Sequence, residues 1–222
     1  MFKNDGVGKK RMKIDFHVHT IYSKDSVTKL EDIARKSKKT GIIPAITDHN
    51  SIAANEKMRK ITNEFIPGEE VHTAHGDVIG LYVEEELPKG IDGYEAIDRI
   101  RGQGGVVYLP HMFDMTRAGA PELGEKADII EVLNGRAFEK YNKLAREFAE
   151  KNKKLMGAGS DAHFLFEFGR VYTEVEEFEL QNPKELLKAL RNAKVHGSGS
   201  PFVRPATSFV KALKKIFKPA LP

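Results

Sequence analysis

The sequence predicts a parallel α/β protein, a barrel or a doubly wound sheet, on three observations. From Met12 onward, strand-like and helix-like stretches alternate. About six or seven such βα units fit along the chain. Polar residues gather where the strand-like stretches end: His17 and His19, Asp48 and His49, Glu70, His111, Glu131 and Asn134, Asp161 and His163. In these folds the carboxyl ends of the parallel strands open on one side, and sites are built there, so these residues would converge on one pocket.

Taken in order, MKIDFHVHT (12–20) alternates with period two, which sets Ile14, Phe16 and Val18 on one face and Asp15, His17 and His19 on the other. Thr28 and Glu31 have capping-box spacing, and LEDIARKSKKTG reads as a helix that stops near Gly41. IIPAIT is a buried strand running into TDHN, followed by a helical stretch over 51–62. EFIPGEE is a short strand that carries Glu69 and Glu70 to its end, and extended segments around VHTAHGDVIGLYV follow, with Gly76 and Asp77 as a turn. GYEAIDRIRGQGG is a helix with a glycine stop, and VVYLPH is the next strand. ADIIEVLN and LMGAGSDAH are strands separated by an amphipathic helix over 137–152. A late strand near Gly169–Thr173 and a helix from Pro183 towards Asn192 complete the body.

With 222 residues, 40% hydrophobic and 31% charged, the chain suits one globular domain with a small appendage and excludes wholesale disorder. It has no cysteine, so disulfides, thiolate metal sites and cysteine nucleophiles are excluded, and any metal site must use His, Asp and Glu. Residues 1–11 form a basic extension, 12–203 the barrel domain, and 204–222 a basic amphipathic helix or tail. Residues 1–13 carry a net +4 and 204–222 a net +5, which leaves −5 on the body within the whole-chain +4. An acidic body with basic ends is a poor phosphate-tracking surface, so nucleic acid is not the favoured partner. No apolar run reaches the roughly 18 residues of a membrane span, and the basic start runs into IDFHVHT rather than an apolar leader, so the expectation is a cytoplasmic protein.

Two histidines at i, i+2 on a strand reach one ion because the pleat brings both to the same face. GSDAH repeats that spacing with Asp161 and His163, and TDHN adds Asp48 and His49. Five of the eight histidines lie where a strand ends, which favours a shared metal site over scattered histidines. A donor set of imidazoles and carboxylates suits Zn, Mn or Fe, and a bridging carboxylate suits more than one ion. Such ions lower the pKa of bound water and polarise a phosphoryl or carbonyl oxygen, which points to hydrolysis.

The order HVHT (17–20), Asp25, TDHN (47–50), PGEE (67–70), Pro110-His111, IEVLN (130–134) and GSDAH (159–163) resembles the polymerase and histidinol phosphatase (PHP) family. The resemblance implies a distorted (β/α)7 barrel and phosphoester hydrolysis at a site of two or three divalent ions. It implies that His17, His19, Glu70 and Asp161 hold one ion, that Glu70 bridges to a second held by His111, and that Asp25, His49 and His163 hold a third. The nucleophile would be a metal-bridging hydroxide supported by Asp161, with Asp161, His111 and Glu70 as the catalytic set. Where many members place a further His beside the second ion, this chain has IEVLN, so Glu131 or Asn134 serves there or water does. Asp25 stands where histidinol phosphatases often show His.

A phosphate also needs positive charge from outside the metal ligands, and Arg117, Arg136 and Arg170 follow site-bearing strands, with His75 a further substrate contact. Asp48 is expected to orient His49, and His196 to be structural. The C-terminal SFVKALKKIFK reads as an outer helix packed on the barrel with a solvated lysine face, rather than a membrane- or RNA-bound one. The expected function is therefore hydrolysis of a small phosphorylated metabolite or nucleotide. A non-catalytic RNA-binding subunit, similar to the ribonuclease P protein that shares this barrel, and a metal-dependent amidohydrolase are the alternatives.

Overall fold

The structure is a computed structural model that describes residues 10–216; residues 1–9 of the basic extension and 217–222 of the tail lie outside the described residues. Short runs rich in Ile and Val pair into one nine-stranded sheet, and the intervening amphipathic runs form helices against it. The strands are β1 (Arg11–Val18), β2 (Ile42–Ile46), β3 (Ile66–His72), β4 (Asp77–Leu81), β5 (Val106–Leu109), β6 (Ile129–Asn134), β7 (Leu155–Gly159), β8 (Val171–Glu176) and β9 (Lys194–Gly197). The helices are α1 (Leu30–Thr40), α2 (Ala53–Arg59), α3 (Gly93–Gly102), α4 (Glu139–Lys151), α5 (Pro183–Ala189) and α6 (Arg204–Ile216).

The sheet order is β7-β6-β5-β4-β3-β2-β1-β8-β9. Val18 at the end of β1 bridges Ala162 just past β7, with the His19 amide donating to the Ala162 carbonyl at 2.9 Å, so β1 to β7 curl into a nearly closed, distorted barrel. β8 and β9 continue the sheet beyond β1. The expected parallel sheet is interrupted at β4, which pairs antiparallel with both β3 and β5. Only residues 73–76 separate β3 from β4, too few for the crossover a parallel pair requires. Gly76, at φ +136, makes that turn possible. β8 and β9 are antiparallel as well.

Ile14, Phe16, Ile66, Ile79, Tyr108 and Ile129 form one apolar cluster with Leu186, Ala189 and Leu190 from α5 and the turn after it. These residues precede the polar strand ends along β1, β3 and β6, so the barrel is packed shut at the end away from the site. Each such side chain contributes about 1.5–3 kcal/mol by leaving water. The expected common face of Ile14, Phe16 and Val18 is broken. The β1–β2 register slips between Asp15 and Val18, and Val18 packs instead with Ile33 of α1 and Met58 of α2. α1 ends at Gly41 in the left-handed region, φ +68, but its capping box does not form: the Thr28 hydroxyl donates to the His163 carbonyl at 3.1 Å. Among the described residues no helix is long and apolar enough to cross a membrane.

Candidate metal centre

Each strand end delivers one or two donors to a single cup. β1 brings the Nε2 atoms of His17 and His19 to 3.1 Å from each other. Glu70 from β3 sets Oε1 3.4 Å from His17 and Oε2 3.4 Å from His19. Asp161, just past β7, places Oδ1 3.4 Å from His19 Nε2 and 3.8 Å from His17 Nε2. His111 after β5 approaches Glu70 Oε1 to 3.2 Å, and His49 after β2 approaches Glu70 Oε2 to 2.7 Å. Asp25 lies 3.6 Å from His49 and 3.4 Å from His163. Three trios have donor atoms mutually within 4.8 Å: His17, His19 and Asp161; His17, Glu70 and His111; His19, His49 and His163. The structure thus brings together all eight residues the sequence pointed to.

Acceptors behind the rings fix which nitrogen faces the cup. Glu131 lies 3.2 Å from His17 Nδ1, Ser23 Oγ 3.2 Å from His19 Nδ1, and the Asp161 carbonyl 2.9 Å from His163 Nδ1. An Nδ1–H held in this way leaves Nε2 as the donor to a cation. Glu131 is fully engaged, accepting also from Tyr108 Oη, the His111 amide and Asn134 Nδ2, so it orients His17 rather than ligating. Asn134 is engaged likewise, through Glu131, Asp161 and the Arg136 amide. Asp48 does not orient the His49 ring as expected. It accepts from Thr20 and from Ser23 Oγ, and Ser23 in turn meets His19 Nδ1 and the His49 amide.

Two further residues escaped the sequence reading. Asp15, one pleat below His17, accepts from the Ser160 amide and hydroxyl and the Gly169 amide, which pins the turn carrying Asp161; burial pushes its carboxyl up to about 7. Its place on the DFHVH face was the available signal. Ser23 gave none. His111 and Asp161 both have positive φ, +29 and +55, and the β1 and β6 registers each slip within two residues of a site side chain. Bulges and strained backbone at strand ends are how a barrel re-aims side chains into a site.

The charges interlock. Burial opposes the His17 imidazolium, yet Asp161, Glu70 and Glu131 carry its pKa well above the ordinary value. Burial likewise opposes His49, and Glu70 and Asp25 raise it to about 10. His19 is driven well down by burial and by His163 and His49. Glu70 and Asp161 stay ionised despite burial, the first through His17 and His49, the second through Arg117 and His17. Even so, Asp161 Oδ1, Asp25 Oδ1 and His111 Nδ1 are buried with no hydrogen-bond partner, and Glu70 Oε2 meets only ring nitrogens, His49 Nδ1 at 2.7 Å and His19 Nε2 at 3.4 Å. Two orphaned carboxylate oxygens among converging imidazoles fit divalent cations, because hydrogen bonding alone leaves them unsatisfied.

The cup opens into a cleft of about 530 Å³ lined by Asp25, His49 and His163 at its floor and by Arg117, Arg136 and residues of α6 at its wall. Arg117 bonds Asp161 and, at 3.2 Å, Asn134. Arg136 borders the cleft, but its guanidinium is spent in a two-pronged pair with buried Glu167, 2.8 Å on each prong, so it is not a free phosphate donor. Arg170 lies outside the cleft, exposed and stacked on Phe166. His75 is also outside, accepting from the Gly93 amide at 3.1 Å, whereas His72 lines the cleft beside Asp77. α6 meets the expectation only in part: Lys211 and Lys215 are exposed and Val210 and Leu213 half-buried, as an outer packed helix requires, but polar residues also turn inward. Arg204, Thr207 and Lys214 face the barrel, while Phe209 and Ile216 are exposed.

A family model described as PHP-associated matches residues 139–195. An uncharacterized protein of Methanocaldococcus jannaschii is 40% identical over 185 residues, covering 79% of this chain and 75% of its own, and a second from that organism is 33% identical over 147 residues, covering 60% and 84%. Among solved structures, a two-domain protein of Bacteroides vulgatus containing a predicted PHP-like metal-dependent phosphoesterase superposes with a TM-score of 0.73 at 18% identity, over 91% of this chain and 71% of that one. The lesion-specific endonuclease EndoQ of Pyrococcus furiosus gives 0.64 at 16% identity, over 84% and 58%. With the motif order, the barrel and the donor trios agreeing, the chain belongs to the PHP family.

Proposed function

We propose that this protein is a metal-dependent phosphoesterase that hydrolyses a small phosphorylated metabolite or nucleotide, with two or three divalent ions drawn from Zn, Mn or Fe. The observation that carries the reading is the overlap of the donor trios: His17 and His19 each belong to two of them, so the positions they define adjoin. When bound, neighbouring ions supply an activated water and polarise phosphoryl oxygens. His17, His19, Glu70 and Asp161 hold the central position, Glu70 reaches towards His111, and Asp25, His49 and His163 close the mouth. Asp161 Oδ1, with no hydrogen-bond partner of its own, would accept a hydrogen bond from the attacking water. Arg117, joined to Asp161 at the cleft wall, supplies positive charge to the phosphoryl group. A cleft of about 530 Å³ lies in the range of small-molecule sites, which suits a small ester better than a duplex.

The test is elemental analysis of protein purified without added metal, then a phosphoester panel with Mn and Zn. Phosphate release that a chelator abolishes, and that His17→Ala and Asp161→Asn each reduce by at least about a thousandfold, supports the reading. A folded, metal-loaded sample that releases no phosphate across the panel overturns it.

A further inference from the structure

We propose that the outer cleft is a second anion-binding subsite, walled by α6, that selects phosphoesters carrying a second negatively charged group beyond the scissile phosphate. It rests on the phosphoesterase reading for the seat of the scissile phosphate, while the subsite itself rests on the disposition of charge around the cleft.

The cleft lining includes three arginines, and each is committed: Arg117 to Asp161, Arg136 to Glu167, and Arg204 to Asp114. Its two carboxylates are engaged as well, Asp25 by His49 and His163, and Asp77 by His72. Three lysines remain: Lys24 from the β1–α1 loop, Lys89 from the β4–α3 loop and Lys211 from α6. All three are exposed, and among the described residues none has an ion-pair partner. The uncompensated charge at the mouth is therefore positive, on a body whose net charge is negative.

α6 is fixed so as to present Lys211. Arg204, Thr207, Lys211 and Lys214 recur at i, i+3, i+7 and i+10 and so share one face. Arg204 Nε donates to the Arg136 carbonyl at 2.7 Å, Thr207 meets Arg136, and Lys214 Nζ donates to the Ile21 and Ser23 carbonyls at 3.1 and 2.9 Å. These bonds latch the helix across the mouth at both ends. Lys211, between the latches, is the cation of that face left to the cleft, beside Ser208. The strap before α6 is built as closely: a Cβ on Gly199 would lie 1.9 Å from the Gly135 carbonyl oxygen, which itself accepts from the Ser200 amide at 2.7 Å.

Three ammonium groups from separate segments, around a cleft of about 530 Å³ with the metal donors Asp25, His49 and His163 in its lining, suit a compact substrate with anions at both ends. The test compares hexyl phosphate with hexane-1,6-diyl bisphosphate and with the ω-carboxylate analogue, 6-phosphonooxyhexanoate, on the full-length, metal-loaded protein. The leaving alcohols are alike, so kcat/KM reports the distal anion. The bisphosphate is expected to exceed hexyl phosphate by about tenfold at low salt, shrinking towards the statistical factor near 0.5 M salt, roughly as exposed charges are screened. Lys211→Ala, and more so the variant with Lys24, Lys89 and Lys211 all replaced by Ala, should lower that ratio. A gain with the carboxylate too shows that either anion is read; a gain with the bisphosphate alone shows a phosphate site. Calorimetric binding of hexane-1,6-bisphosphonate against hexylphosphonate provides an arm free of turnover. If no ester is cleaved but the bisphosphonate binds more tightly in a lysine-dependent way, the phosphoesterase reading fails and the subsite stands. If hexyl phosphate is cleaved and the ratio is near the statistical factor, or is untouched by the triple replacement, the subsite is overturned.

Discussion

Replacing Glu167 tests whether Arg136 is a structural cation or a substrate ligand. The two side chains are 3% and 7% exposed and are joined by two bonds of 2.8 Å. Glu167 Oε2 also accepts the His163 and Phe164 amides at 3.0 Å each, so one carboxylate ties the β6–α4 loop to the turn that carries a metal donor. Removing one partner of a buried pair costs about 3–5 kcal/mol, mostly from the stranded charge. Because the Arg136 guanidinium borders the cleft, water can reach part of it, so Glu167→Ala belongs at the lower end, about 3 kcal/mol. For a chain of this size that is a fall in Tm of roughly 6–12 °C at about 2–4 °C per kcal/mol. Urea unfolding of the wild type, Glu167→Ala, Arg136→Ala and the double variant closes a cycle whose coupling should be about 2 kcal/mol or more. A coupling below about 0.5 kcal/mol, or an Arg136→Ala protein of native stability that has lost only substrate affinity, would refute the structural assignment.

Other consequences can be measured directly. His17 and His49 have raised pKa values, the latter near 10, so at neutral pH both rings carry protons that a cation must displace; metal affinity therefore falls as pH falls, about tenfold per unit per proton released. Calorimetry in buffers of different ionisation enthalpy should show that release, and zero release would contradict the assignment. Manganese or zinc at a hundredfold excess over Kd should stabilise the fold by about 2.7 kcal/mol, seen as a Tm rise of roughly 5–11 °C that Asp161→Asn diminishes. Ser23→Ala removes the hydroxyl shared by His19 Nδ1, Asp48 and the His49 amide, and should lower metal stoichiometry at the His19, His49 and His163 position while leaving the His17, Glu70 and His111 position filled. Equal loss from both positions would show that Ser23 does not act locally.

The donors were legible because their spacing is local: a period of two puts His17 beside His19, and a polar residue after an apolar run marks a strand end. What the sequence left open depends on contacts between distant segments. Nothing near Arg136 announces Glu167, thirty-one positions away, and nothing in TDHN shows that Asp48 works through Ser23. The antiparallel β4 follows from a connection too short to cross over, a signal present in the four residues after His72 but easily lost among six parallel strands. α6 misleads for another reason. A hydrophobic face predicts burial, yet here Val210 and Leu213 are only half-buried and Phe209 is exposed, while Arg204 and Lys214 hydrogen-bond the barrel, contacts that no local spacing announces.

Gathering carboxylates in a buried cup is unfavourable unless positive charge accompanies them. In this chain the protonated rings of His17 and His49, together with Arg117, fill that need, since each is held above its ordinary pKa by the carboxylates around it. Divalent cations would meet the same demand with more charge per site, and Asp161 Oδ1 and Asp25 Oδ1, which no hydrogen bond satisfies, are among the atoms that would hold them. Proton loss from the rings would then accompany cation uptake. Arg117 differs from Arg136 and Arg204 in its partner: its carboxylate, Asp161, is itself one of the cup's donors, whereas Glu167 and Asp114 are not, so Arg117 is the arginine of the cleft whose charge adjoins the donor cluster.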